Sequence, residues 1–202
     1  MFKAVFTGLC FSLLGGCSAI SALSGASAEL DAYTLSAVQP ATVSTRDIHL
    51  VVAVPTSAGA LATDRILIKP STLQAQYLPD GRWTDTTPVL FQTLLLSSLQ
   101  NSGGFLLVDR DGAGLMPDYT VMTELKAFQA EPGGVKNAVV PVRIAVTMTL
   151  IRERDRAIMA SRDFAATANA SSDKTPALVP AFDAALRQVL TDAANWVRSQ
   201  AN

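Results

Sequence analysis

Cysteine and histidine are almost missing from this 202-residue chain, which has 2 cysteines, Cys10 and Cys17, and 1 histidine, His49. Whatever folds beyond Cys17 therefore has no disulfide, no thiol and no cysteine-based metal site. Long apolar runs are also missing. The stretch from Ala4 to Leu14 is too short to cross a bilayer, and no later stretch reaches eighteen apolar residues. Nor is there an excess of charge: 16 Lys and Arg stand against 17 Asp and Glu, for a net charge of -1. That balance lacks the basic face of a nucleic-acid binder. What the chain has is apolar content, 49% of it, enough for one domain with a full core.

The N-terminal stretch has one positive charge, Lys3, then the apolar run, then Leu14-Gly15-Gly16-Cys17. A charged start, a short apolar centre and small residues at the end make residues 1–16 a secretory signal peptide. A cysteine directly after Leu-Gly-Gly resembles the lipobox of bacterial lipoproteins. There the cysteine sulfur takes a diacylglycerol, the peptide is cut before it, and the new amine is acylated. The resemblance makes Cys17 the lipid attachment site; the plainer alternative is an ordinary signal peptide that contains a cysteine. Each buried methylene contributes about 0.8 kcal/mol and one chain holds only marginally, so several chains on one residue give a lasting anchor. Ser18 to Ala32 is mostly Ser, Ala, Gly and Leu without a period, so residues 17–32 read as the lipidated cysteine and a flexible tether. Such a tether spans on the order of 20 Å as a coil and about 50 Å when stretched. Ser18, where an Asp would signal retention, favours the outer membrane by resemblance to lipoprotein sorting, with the domain facing the periplasm.

Residues 33–202 read as one domain. Strands are expected at Tyr33 to Leu35, Ile48 to Val54, Arg65 to Lys69, Ala75 to Leu78 and Phe105 to Val108, with Pro79-Asp80-Gly81 as a turn. Two long extended segments follow, about Asp118 to Gln129 and Asn137 to Arg152, and then Ala157 to Thr167. In the second, Val140, Val142, Ile144, Val146, Met148 and Leu150 share one face, with Arg143, Thr147 and Thr149 on the other. Thr84 to Gln100 reads as a helix with Leu90, Phe91, Leu94, Leu95 and Leu99 on one side, and Pro180 to Ser199 as a second. Its stripe is Phe182, Leu186, Val189, Ala193 and Trp196. The expected fold class is α+β: one largely antiparallel sheet with two helices packed on one face.

Catalytic patterns are scarce. His49 lies between apolar neighbours near Asp47, and no Gly-x-Ser-x-Gly elbow supplies a nucleophile, so a satisfied structural histidine is expected. Asp109-Arg110-Asp111-Gly112 lacks the closing Glu of a calcium loop, Thr120 standing in its place. The glycine pairs at Gly103 and Gly133 lack the lysine of a phosphate loop. No metal, cofactor or catalytic residue is expected. Arg152-Glu153-Arg154-Asp155-Arg156 reads as a solvated hairpin tip with self-paired charges, a contact with head groups or a partner being the alternative. Arg82-Trp83 has two readings: Trp83 staples the following helix to the core, or guanidinium and indole form a binding surface. Val89 and Leu96 fall among the polar residues of the first helix and are candidates for contact with a neighbouring subunit or partner.

Tyr33-Thr34-Leu35, Asp64-Arg65-Ile66, Tyr77, Arg82-Trp83, Gly104-Phe105, Val108, Asp118-Tyr119, Phe128, Phe164 and the stretch from Phe182 to Trp196 stand in an order that resembles the ABC-type transport auxiliary lipoproteins. The resemblance covers essentially all of residues 33–202. The segment before Arg82 is short and the loop after Val108 is glycine-rich, both departures from the family pattern. The resemblance implies a non-catalytic outer-membrane partner of an MCE-domain lipid transporter, docking onto or receiving lipid from a conduit that crosses the periplasm. By analogy, a ring of copies suits an oligomeric conduit. The other function class open to this anchor and fold is a scaffold or assembly factor for another envelope complex.

Overall fold

Alternation of apolar and polar residues dictates strands on both sides of the hairpin at Arg152–Arg156, and these form one side of the sheet. The computed structural model describes residues 29–110, 114, 116–133 and 139–201. Its elements are β1 (Asp31–Tyr33), β2 (His49–Val52), β3 (Thr56–Ser57), a 3-10 turn (Gly59–Leu61), β4 (Arg65–Ser71), β5 (Gln74–Trp83), α1 (Thr87–Ser102), β6 (Leu107–Arg110), β7 (Tyr119–Ala130), β8 (Val140–Arg152), β9 (Ala157–Ala170) and α2 (Thr175–Gln200).

Strand β7 is the spine. One edge pairs along its length with antiparallel β8, which pairs in turn with antiparallel β9. The other edge is shared by three short parallel strands, with β2 at Tyr119 to Val121, β3 at Glu124 and Leu125, and β4 at Gln129 and Ala130. Parallel β6 extends the sheet from β2, while antiparallel β5 and then parallel β1 extend it from β4. The expectation of a largely antiparallel sheet is corrected. The sheet is mixed, and five of the eight pairings among the described residues are parallel. Short turns keep β4–β5 and β8–β9 antiparallel, whereas β2 and β4 reach β7 only after long intervening chain, which permits parallel entry.

The expected apolar face of β8 is buried throughout, from Val140 to Leu150. Strand β7 buries Val121, Thr123 and Leu125, then slips register at Lys126, so Phe128 and Ala130 face inward in turn. On the opposite face Thr147 donates to Asp163 (2.5 Å) and Thr149 pairs with Ser161 (3.0 Å). Helix α1 rests on β2 and β6, α2 rests on β8 and β9, and the helices touch one another. All contribute to one apolar core.

Both helices carry their expected stripes, yet α1 is buried more widely than one stripe requires. Gln92 is 4% exposed and its Nε2 donates to the Val52 carbonyl at 2.9 Å. Residues 34–47 cross the helix layer as a strap. The Ser36 amide donates to Asp183 Oδ1 (2.7 Å) and the Val38 amide to Ser98 Oγ (3.1 Å). Asn101 Nδ2 donates to the Val38 carbonyl, and the Ala41 amide donates to the Asn101 carbonyl, both at 2.8 Å. Gly103 ends α1 with φ of 66°, a left-handed conformation that glycine adopts without Cβ strain, and a Cβ there would lie 3.1 Å from the Val43 side chain.

Arg46 closes the strap. Its guanidinium donates to the carbonyls of Ala201 (2.5 Å), Arg198 (2.9 Å) and Gly104 (3.3 Å), and lies 5.8 Å from the Phe105 ring centre. The cation thus sits where the carbonyls at the end of α2 concentrate negative charge. Arg198 does the same for α1, its Nη1 donating to the Ser102 carbonyl at 3.0 Å.

Most element ends shift by a few residues from the sequence expectation, and two shifts change the reading. Pro79-Asp80-Gly81 is no turn: it lies inside β5, where Arg65 pairs with Arg82 and Leu67 already pairs with Tyr77. Arg65 Nη2 donates to the Leu78 carbonyl (2.7 Å) at this irregularity. Helix α2 begins at Thr175-Pro176, earlier than Pro180, because Pro176 is the proline at its first turn and Pro180 is accommodated inside the helix.

Candidate functional site

Strand β5 sets Arg82 and Trp83 on opposite sides of the sheet, as strand alternation requires. Trp83 is fully buried, its ring edge-on to Phe128 (5.8 Å) and Phe182 (5.2 Å), which themselves stack at 5.4 Å. The surface reading of Trp83 is corrected: the indole ties β5, β7 and α2 together and is closed to a partner. Arg82 stays half-exposed, with Nη1 3.6 Å from Asp64 Oδ2. Val89 and Leu96 are half-buried, and Leu96 packs against the core. The structure therefore does not assemble Arg82, Trp83, Val89 and Leu96 into one exposed patch.

The expectation of a satisfied histidine at His49 is corrected: the ring Nε2 is buried without a hydrogen-bond partner among the described residues, and only the backbone amide is engaged by a carboxylate, donating to Asp118 at 2.8 Å. At the end of β6, Asp109 Oδ1 accepts from the Arg110 amide at 2.7 Å; Asp111 and Gly112 lie outside the described residues. No cluster of three His, Cys, Asp or Glu side chains, and no helix long and apolar enough to cross a membrane, occurs among the described residues. Cys17 and Ser18, with the signal peptide and most of the tether, also lie outside them.

The β8–β9 hairpin pairs its own charges. Arg152 donates to both Asp155 oxygens (3.0 and 2.7 Å), and Arg156 Nη1 donates to Glu153 Oε2 (2.6 Å). The Arg152 bonds hold the Asp155 carboxyl down at about 2, helped by the Ala157 amide. Thr120 first, and then Arg156, lower that of Glu153. Because the folded Asp155 pKa is depressed, its contribution is present above the ordinary carboxylate range and fades as pH falls through about 2. A carbon-detected NMR titration should place the Asp155 carboxyl midpoint well below that of a free aspartate, and Arg152→Ala should return it toward the ordinary value. An unchanged midpoint in Arg152→Ala would show the pairing to be unformed in solution.

Sequence reasoning missed the junction where α2 begins. Thr175 Oγ1 donates to Asp80 Oδ1 at 2.5 Å, and a Cβ at Gly81 would lie 2.8 Å from the Thr175 methyl group and 3.1 Å from the Tyr33 ring. Gly81 is therefore the residue that lets α2, β5 and β1 approach closely. Desolvation, then Asp31 and Asp80, push the Tyr33 phenol up. The only sequence signal for this junction was the glycine in Asp80-Gly81, and it read as a turn.

Comparison with known proteins bears on the role of this fold. The family described as "ABC-type transport auxiliary lipoprotein component" matches residues 33–194. The chain belongs to that family. A Xanthomonas campestris protein of the DUF330 family shares 23% identity with this auxiliary component, covering 86% of this chain and 96% of its own, with a TM-score of 0.76. A hypothetical protein from Chlamydia trachomatis shares 10% identity over 77% of this chain and 98% of its own, with a TM-score of 0.53. At these identities the likeness is one of fold. Among curated proteins none matches the chain. The family is an auxiliary, transport-associated lipoprotein component rather than an enzyme class.

Proposed function

We propose that this protein is a non-catalytic lipoprotein of the outer membrane, facing the periplasm, that docks onto or receives lipid from an MCE-domain ABC transport system. The observation that carries the reading is the family match from Tyr33 to Ala194, which begins just after the tether from Leu14-Gly15-Gly16-Cys17. A transporter of this type is driven by a distant ATPase, so the auxiliary domain needs a fixed shape and a membrane address and no reaction chemistry. Arg82 and the exposed halves of Val89 and Leu96 are the proposed contact with the conduit or a neighbouring subunit, without Trp83. Joint replacement, Arg82→Ala with Val89→Ser and Leu96→Ser, should weaken partner capture at matched abundance. Unchanged capture would remove these residues from the proposal.

The anchor is tested at one sulfur. Cys17→Ala should abolish fatty-acid labelling and release the protein from the membrane fraction or leave it uncleaved. Ser18→Asp should hold it at the inner membrane. A labelled, outer-membrane Cys17→Ala protein would refute the lipobox, and unchanged fractionation of Ser18→Asp would refute the sorting argument.

A further inference from the structure

A cleft of about 340 Å3 opens beside the start of α2. Its floor is Leu78, Ala130, Val140 and Leu178, each no more than 4% exposed, with Ile68 on one wall. Ligand sites occupy roughly 300–1,000 Å3 and are lined mainly by apolar side chains with a few polar groups that orient the ligand. The polar groups here are at the rim, where Asp173 and Lys174 are both exposed. Among the described residues neither side chain has a hydrogen-bond or ion-pair partner. An apolar floor under an unpaired carboxylate and ammonium matches an amphiphile whose head carries both signs.

Lys174 is also poorly explained by the helix that it precedes. It is the N-cap residue of α2, makes no side-chain cap bond there, and no acidic residue follows in the first turn. A helix start favours anions and disfavours cations. A cation at this position gains from a phosphate what it does not gain from the helix.

The place of the cleft matters as well. The chain enters the domain at Asp31, which pairs with Gly81, two residues along β5 from the cleft residue Pro79. The tether from Cys17 thus joins the domain beside the cleft mouth.

We propose that this cleft holds one acyl chain of a zwitterionic phospholipid, with its phosphate at Lys174 and its ammonium at Asp173. The choice of a phospholipid over another amphiphile rests on the membrane-anchored reading of Cys17, whereas the apolar cleft stands apart from it.

Photo-cross-linking of the full chain in its own envelope tests the assignment. A benzophenone amino acid is placed at Gln76, an exposed residue of the cleft rim, and in a control at exposed Gln188 on α2. The expected product is a peptide carrying the mass of a phospholipid at position 76 and none at position 188. Lys174→Glu should cut that yield at least fivefold while leaving the melting temperature unchanged or higher, since an acid suits a helix start. The proposal is overturned by no lipid adduct at 76, by equal adducts at both positions, or by a yield indifferent to Lys174→Glu. A cross-link from position 76 to the chain's own acylated N-terminal peptide also overturns it, by showing the occupant to be the anchor. Fractionation of Cys17→Ala is scored separately, so failure of the anchor and failure of the cleft are distinguishable.

Discussion

Replacing Trp83 with alanine should destabilise the domain by about 3–5 kcal/mol, the usual cost of deleting a fully buried large aromatic side chain. The indole is 0% exposed and edge-on to two rings from different elements, so its removal opens a void that neither β7 nor α2 can close without moving. For a domain of this size the loss corresponds to roughly 6–20 °C in melting temperature. Trp83→Phe keeps a ring between Phe128 and Phe182 and should recover most of it. Arg82→Ala, one residue away, should cost far less, because a partly exposed ion pair is worth about 0–1 kcal/mol. Thermal melting of the three variants checks the contrast. A Trp83→Ala protein that melts like the parent would place the indole at a surface.

Arg46→Ala should be the second most damaging of the changes considered, at about 2–3 kcal/mol. Hydrogen bonds to a charged group contribute about 1.5–3 kcal/mol each, but three bonds from one half-buried guanidinium share a solvent-facing side chain and do not add in full. Loss of Arg46 leaves the last carbonyls of α2 without their cation and frees the strap where it meets Gly104. Arg46→Lys should recover less than half, since one ammonium lacks the planar fork that reaches three carbonyls. Urea unfolding should show a lower midpoint with the same slope, and hydrogen exchange should quicken in the last turn of α2. A stable Arg46→Ala protein with unchanged exchange there would mean that the bonds to Asp183, Ser98 and Asn101 suffice to hold the strap.

Where burial follows a period, the fold was legible in the sequence. The alternation of β8 and the stripe of α2 were both readable because one face of each meets the core and the other does not. Pairing direction was not readable, since alternation is the same in parallel and antiparallel strands. The register slip at Lys126 was hidden because alternation persists on both sides of it. The burial of Gln92 was not legible because its polarity is satisfied by the backbone of β2, a contact forty residues away. The strap was invisible for a related reason: its bonds are made by backbone amides and by Arg46, which carry no periodic signal. Trp83 kept both a core and a surface reading in the sequence, because the same aromatic type serves cores and interfaces alike, and the structure buries it. Gly81 and Asp80 were read as a turn because close approach and turning both call for glycine.

The most direct test of the transport role is cross-linking of the full chain in the intact envelope, followed by isolation and mass spectrometry of its covalent partners. The account predicts an MCE-domain protein as the dominant partner, retained by Trp83→Phe and lost when Cys17→Ala removes the domain from its membrane. A dominant partner from another envelope assembly, with no MCE-domain protein among the cross-linked species, would contradict it.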